Sequence, residues 1–512
     1  MPKNAQTCRT DHPQPLKWGL IVGGLILLAI IVRLPFWDLP VRCDEAAAFL
    51  RYSGGGSETL WDFLSRYSTP GGHGFHGLAV ALMSLLFGAD FPWLRLPAFV
   101  AGVLSVPLTF AAMRLWIGRT PAAIAALLMA VSHGCVGYSV NARGYTVGIC
   151  CVLVSVRYLA KADRRQPGWY PIAAGMALGA AAYTIHTTIY FAAAVAAWYG
   201  WRCLIDASGR ATLVRTGSAF ALSLILTLVV LFSPIMARGD FGNVVGYRIA
   251  PPIGFADTAA LLPEFLRDGA ARFADGVKPA VGLWLAVAVG AAVAIRRRNA
   301  GGGLMLMALA VVPVILLLQR LLPPVRTLNY LLPFAYALAG IGLVAALRKL
   351  QSLCRLSRLI PAPLPVGLSV ITICAGLGSA LASLPRHPLL RPDRDQGIRN
   401  AIHEAAHLAG PDEVIFAQSW INALIRYEQW KMGRPANRIV LPRLDVSRAI
   451  LFWPPHWREN KEVTKLLASY RSNEVLFDDG TTRIVRIARI DESVAQPKRP
   501  KKSSRLASAS EE

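Results

Sequence analysis

Two adjacent acids, Asp44 and Glu45, stand in the stretch RLPFWDLPVRCDEAAAFLRY (Arg33–Tyr52), directly after a membrane-length apolar run. Carboxylates beside a bilayer are costly unless paired or used, so by default they mark a functional site. The chemistry open to such an acid is proton abstraction from a hydroxyl. The structural alternative is capping, because acids favour a helix N-terminus and AAAFLRY reads as a short interfacial helix. A second candidate lies far down the chain, His403-Glu404-Ala405-Ala406-His407, a literal HExxH. On a helix that spacing puts two imidazoles on one face with a glutamate as general base, as in a zinc protease. The helical stretch is short, ends at Gly410-Pro411, and no convincing third ligand follows.

The elements that position these residues are mostly membrane helices. The chain has 512 residues, is 54% hydrophobic and only 16% charged, with mean hydropathy +0.43. Apolar runs fall near 18–32, 76–87, 93–113, 121–139, 145–160, 170–186, 187–201, 213–236, 279–295, 303–319, 328–347 and 361–384. Many reach the ~20 residues needed to span a bilayer. The net charge of +24 is not a nucleic-acid groove, since most Lys and Arg sit in short loops between apolar runs. Eight cysteines are scattered without a paired framework or CxxC spacing, so they read as small apolar residues. The basic start with Lys3, Arg9 and Lys17 looks like a signal peptide. Arg33 and Pro35 follow the apolar run in place of a small-residue cleavage site, so an uncleaved anchor is expected.

The basic clusters around Arg114, Arg157–Arg165, Arg202–Arg215, Arg296–Arg298 and Arg348–Arg358 occupy every second gap if the 76–87 run does not cross. That run is about a dozen residues, short of a span. It reads as a re-entrant or interfacial helix, which leaves about 11 spans with the N-terminus cytoplasmic. The outer face then collects the Asp44–Glu45 loop, His73, Arg95, the turn Asn141–Thr146, His186, the long loop 237–278 and the turn Gln319–Tyr330. After about residue 384 the composition becomes that of a soluble α/β domain. Helices are expected near 398–408, 419–432 and 457–470, and strands near 413–417 and 438–441. A hairpin of 474–477 with 483–490 is expected across Asp479-Gly480. The reading is a transmembrane domain over 1–384 with a first outer loop at 33–75, an outer-face α/β domain over 385–495, and a disordered basic tail over 496–512.

The acid pair, His73 leading an apolar helix to Leu78, Phe87-Gly88, Arg95-Leu96-Pro97, Ala142-Arg143-Gly144-Tyr145, His186 and Tyr330 with Pro333 form an ordered set. In it the chain resembles the GT-C glycosyltransferases of the protein mannosyltransferase and aminoarabinose transferase type. The resemblance covers roughly Leu20–Leu347 and, more loosely, the C-terminal domain. It departs at His73-Gly74-Phe75-His76, where the family has His-Pro-Pro-Leu, and at Asn329-Tyr330, where the family has Arg-Tyr and the nearest arginine is Arg326.

The resemblance implies an inner-membrane enzyme that takes a sugar from a polyprenyl-phosphate carrier and passes it to a lipid or glycan acceptor on the outer face. Asp44 is then the base, Glu45 orients the acceptor, and Arg95, Arg143 and Arg326 hold the donor phosphate through their planar forks. His73, Tyr145, His186 and Tyr330 support the site. The structural alternatives are snorkelling for the arginines and an interfacial belt for the tyrosines. The residues name no certain cofactor and leave metal dependence open: an Asp-Glu pair could hold a divalent ion, but carboxylate-only sites usually gather more oxygen donors. Two other classes compete: a lipid or glycan transporter or flippase, which would show internal repeats and broken helices, and a membrane zinc protease built on His403, Glu404 and His407.

Overall fold

The computed structural model describes residues 15–52, 73–88, 91–164, 168–238, 253–275, 280–357, 378–387, 390, 396–409, 414–416, 419–432, 439–440, 448–453, 470–478 and 483–489. They fall into two compact units. One comprises Met1–Pro40 with Arg51–Arg391, and the other Val41–Leu50 with Pro392–Glu512. The second unit thus takes up a segment of the first outer loop that sequence reading assigned to the membrane unit.

The first unit is a helical membrane bundle. Among the described residues six helical segments are long and apolar enough to cross: Trp18–Phe36, Leu96–Ile117, Tyr145–Arg164, Arg210–Ala237, Ala300–Gln319 and Val325–Ser352. A seventh crossing arises if Arg119–Val131 and His133–Ser139, bent by 57° at Ser132, form one broken span. The expected count of about 11 exceeds this because several apolar runs fold as shorter helices. Tyr170–Thr184 has 15 residues, Tyr190–Ile205 has 16 and Ala280–Arg296 has 17. The run expected at 361–384 lies largely outside the described residues. The helix Gly74–Phe87 has 14 residues, about 21 Å of rise against a ~30 Å hydrocarbon core. It is too short to span.

The arrangement is that of a multi-pass membrane protein, with apolar side chains turned outward as well as inward. Along Arg210–Ala237, Leu222, Ile225, Leu226, Val229 and Val230 are all exposed, the pattern of a lipid-facing surface. Inside, the bundle closes on small and aromatic residues. A side chain at Gly290 would run into the Leu338 carbonyl and one at Gly342 into the Ala286 carbonyl, so helices Ala280–Arg296 and Leu332–Ser357 touch backbone to backbone. Trp116 and Trp198 pack edge to face at 5.6 Å. Their indole N–H groups donate to the Val156 carbonyl at 3.2 Å and the Ala300 carbonyl at 2.8 Å, so neither buried donor is orphaned.

The second unit carries a five-stranded sheet of β1 (Val414–Phe416), β2 (Ile439–Val440), β3 (Arg448–Trp453), β4 (Tyr470–Asp478) and β5 (Arg483–Arg489), ordered β2-β1-β3-β5-β4. β1 runs parallel to β2 and β3, and β5 pairs antiparallel with both β3 and β4. Helices Gln396–Leu408 and Ser419–Lys431 accompany it. The sequence reading missed the central strand β3. Its run RAILFW is short and lacks strict alternation, which periodicity cannot separate from a buried helix segment. The expected helix at 457–470 and the basic tail lie outside the described residues.

Candidate functional site

The first unit gathers its polar groups around Tyr145. The helix His133–Ser139 ends and Tyr145–Arg164 begins across the turn Val140–Gly144, tightened by the Arg143 amide donating to the Asn141 carbonyl at 2.6 Å. Gly144 is required there. A β-carbon would come within 2.7 Å of Thr184, 2.8 Å of His73 and 3.0 Å of His76, so three segments press onto this turn. The Tyr145 ring lies 4.5 Å from that of Tyr138 and 5.0 Å from that of His73. The Arg143 guanidinium sits over it at 5.8 Å, within cation–π reach. Its hydroxyl accepts a hydrogen bond of 3.0 Å from Nε of Arg326. The neighbouring Tyr138 hydroxyl lies in the field of Arg326, Arg272 and Arg143 together.

The histidines here are neutral. His73 is buried, and burial first, then Arg143 and His76, hold its imidazole well below the usual histidine range. Its Nδ1 lies 3.0 Å from the Thr184 carbonyl, so Nδ1 carries the proton and Nε2 is an acceptor. That Nε2 is buried without a hydrogen-bond partner. Burial pushes His186 down to about 4, and its ring packs 5.8 Å from Phe232. Tyr330 is 2% exposed and Tyr145 is 4% exposed. Both therefore sit inside the protein and not in an interfacial belt.

Arg95 is placed differently from the expected phosphate ligand. It is fully buried, and its terminal nitrogens donate to the carbonyls of Trp37, Leu39 and Pro40. It neither snorkels nor shows an open fork, and it ties down the chain that leads into the acid pair. Glu45 stands at the start of a helix. It is buried, and its carboxylate accepts the Arg42 amide at 3.0 Å, the return half of a capping box at the start of Cys43–Tyr52. Asp44, in the same first turn, is exposed. Both acids belong to the second unit.

Residues 75–237 match the family model described as dolichyl-phosphate-mannose-protein mannosyltransferase. No curated protein sequence matches the chain. Among solved structures, apo ArnT from Cupriavidus metallidurans superposes with a TM-score of 0.58 at 15% identity, covering 92% of this chain and 98% of that one. The same protein bound to undecaprenyl phosphate gives 0.56 at 16%, covering 93% and 98%. The Archaeoglobus fulgidus oligosaccharyltransferase AglB, in complex with an inhibitory peptide and a dolichol-phosphate, gives 0.57 at 12%, covering 91% and 74%. The chain has the fold of ArnT and AglB. The match spans less than half of the chain, and the superpositions establish the fold of a multi-pass membrane protein.

Arg272, whose charge acts on the Tyr138 hydroxyl, was not singled out in the sequence. It ends the helix Phe255–Phe273, in a stretch read as a loop of no particular residues, and no spacing rule ties it to Tyr138 more than a hundred positions earlier. The HExxH of the second unit does form on a helix, with the His403 and His407 rings parallel at 6.3 Å. His403 pairs instead with Glu428 at 3.6 Å. Among the described residues no further ligand joins the two histidines.

Proposed function

We propose that this GT-C protein moves a sugar from a polyprenyl-phosphate carrier to a lipid or glycan acceptor on the extracytoplasmic face of an inner membrane, with its N-terminus in the cytoplasm. The observation that carries this reading is the convergence of Arg143, Arg272 and Arg326 on the Tyr138–Tyr145 pair. In an inverting transfer the acceptor hydroxyl loses its proton to Asp44 as its oxygen attacks the anomeric carbon. The bond from that carbon to the phosphate oxygen breaks, and the polyprenyl phosphate leaves as an anion. Negative charge grows on the leaving phosphate, so preorganised cations accelerate the step more than they stabilise the ground state.

The other residues divide the supporting work. Tyr145 aims Arg326, while neutral His73, His186 and Tyr330 keep the surroundings polar without adding charge. Arg95 fixes the chain ahead of the acid pair, and Glu45 holds the first turn from which Asp44 projects.

The test is direct. Mass analysis of envelope lipids and glycans with and without the gene should show one sugar modification missing. Purified protein should then restore it from a polyprenyl-phosphate-linked sugar. Cysteines introduced beside Arg143 and within 439–453 should label from outside, and ones beside Arg164 should not. An unchanged envelope profile together with no donor turnover removes the proposal.

A further inference from the structure

A second cluster lies outside the arginine site. His133 opens the helix after the 57° bend, Asp275 follows the helix Phe255–Phe273, and His387 follows the single turn Leu384–Arg386. Nδ1 of His133 lies 3.4 Å from Oδ1 of Asp275, and Nε2 of His387 lies 2.8 Å from Oδ2. The two imidazole rings are 5.1 Å apart. One ligand atom from each residue falls within 4.8 Å of the others, the one such group among the described residues. We propose that His133, Asp275 and His387 bind a divalent transition metal, zinc by the chemistry of the donors, as a structural clamp. The proposal is independent of the sugar-transfer reading.

The tautomer of His133 carries the argument. Its Nε2 lies 3.1 Å from the Ala380 carbonyl and 3.3 Å from Oγ of Ser383. The Ser383 hydroxyl hydrogen goes to the carbonyls of Ser379 and Ala380, at 2.8 and 3.0 Å. Both neighbours of Nε2 therefore accept, and the ring proton must sit on Nε2. Nδ1 is then a lone pair, buried without a hydrogen bond, and it faces a carboxylate oxygen 3.4 Å away. In the neutral ring two lone pairs in that position repel, and a proton or a metal ion between the two atoms relieves the repulsion. A carbonyl or hydroxyl on the far imidazole nitrogen is also the usual outer partner of a metal-bound histidine.

Geometry and charge fit the ion. Zinc bonds of ~2.0–2.1 Å in a tetrahedron separate ligand atoms by roughly 3.3 Å, close to the 3.4 Å between His133 and Asp275. The His387 nitrogen and the second carboxylate oxygen stand at 2.8 Å, the distance of a hydrogen bond. Two neutral imidazoles and one carboxylate suit a borderline ion such as zinc better than the all-oxygen shells of calcium or magnesium. The side chains of His133 and His387 are 3% and 10% exposed while that of Asp275 is 42% exposed, which leaves room for water as the fourth ligand.

The clamp joins segments that the arginine site uses. Asp275 lies three residues after Arg272, and His133 lies five residues, about 7.5 Å of helix, before Tyr138. The Tyr336 hydroxyl donates to the Phe273 carbonyl at 2.8 Å and already anchors the same chain two residues ahead of Asp275. A metal would complete the fixation.

The test uses full-length protein in detergent, freed of any histidine tag, stripped with chelator and titrated with Zn2+ alone. One zinc per chain should bind well below ~10 µM, as structural zinc sites do, and the unfolding temperature should rise with it. Asp275→Asn and His387→Ala should each weaken binding at least ~100-fold, since removing even an outer partner costs 10- to 100-fold. The His403→Ala, His407→Ala double variant should keep the full stoichiometry. Stripped wild-type protein that takes up no zinc and shows no thermal shift overturns the proposal, and that measurement stands even where a variant does not fold. Zinc that survives in both ligand variants, or vanishes in the HExxH double variant, overturns it as well.

Discussion

Arg326 donates Nε–H to the Tyr145 hydroxyl across 3.0 Å, a bond between residues 181 positions apart. The bond uses the Nε edge of the guanidinium, so the tyrosine fixes the aim of the fork. Tyr145→Phe keeps the ring contacts with Tyr138 and His73 and deletes only this bond. Donor affinity should fall by ~1.5–3 kcal/mol, the range for a hydrogen bond to a charged group. Arg326→Ala should cost more, and adding Tyr145→Phe to it should cost little further. A double-mutant cycle on the donor dissociation constant checks this; strictly additive losses would mean that the two residues act separately.

The acid pair should split in its behaviour. Asp44→Asn preserves shape and removes the proton acceptor, so transfer should drop by the ~100- to 10,000-fold typical of a lost general base while donor binding survives. Glu45→Gln still accepts the Arg42 amide and should keep transfer within a few-fold. Glu45→Ala loses the cap and should lower stability by ~0.5–2 kcal/mol. Near-normal transfer by Asp44→Asn would leave both acids as helix-start residues and nothing more.

Two arginines that look alike in sequence should fail differently. Arg143→Ala should weaken donor binding and turnover with little change in unfolding temperature. Arg95→Ala strands three carbonyls that its guanidinium now satisfies, so stability should fall by at least ~3 kcal/mol. Comparing thermal unfolding with donor affinity for the two variants separates these outcomes. A stable Arg95→Ala protein with a selectively weak donor complex would return Arg95 to the phosphate.

Acid should destabilise the fold through its buried histidines. His186 titrates at about 4 in the folded protein against an ordinary value of 6.5, so the unfolded chain takes up the proton first. Stability from this group is complete above pH 6.5 and is lost as the pH falls toward 4, by on the order of 1–3 kcal/mol. His73 is shifted in the same direction. Unfolding temperatures measured from pH 7 to pH 4 should drop less steeply for His186→Gln than for the unaltered protein. Parallel curves would place His186 in contact with water.

The sequence by itself determined the class of protein, because spans are written as contiguous apolar runs and positive loops, both local features. It also marked the short Gly74–Phe87 helix, the soluble α/β domain, and Asp44, Arg143 and Arg326 as the residues to examine. Only the tertiary structure decided where those side chains lie and what they touch. Arg95 and Arg143 each stand just ahead of a helix, yet one is closed over three carbonyls and the other lies over a tyrosine ring. Glu45 and Asp44 are adjacent, yet one is buried on its own helix start and the other is exposed. Arg272 joined the site, and His133, Asp275 and His387 joined one another, across separations that no periodicity encodes. Side-chain direction follows from which helices pack together, and that packing is set by backbone approaches such as Gly290 on Leu338 and Gly144 on His73. A glycine in the sequence reports only that close approach is allowed; the fold decides what comes close.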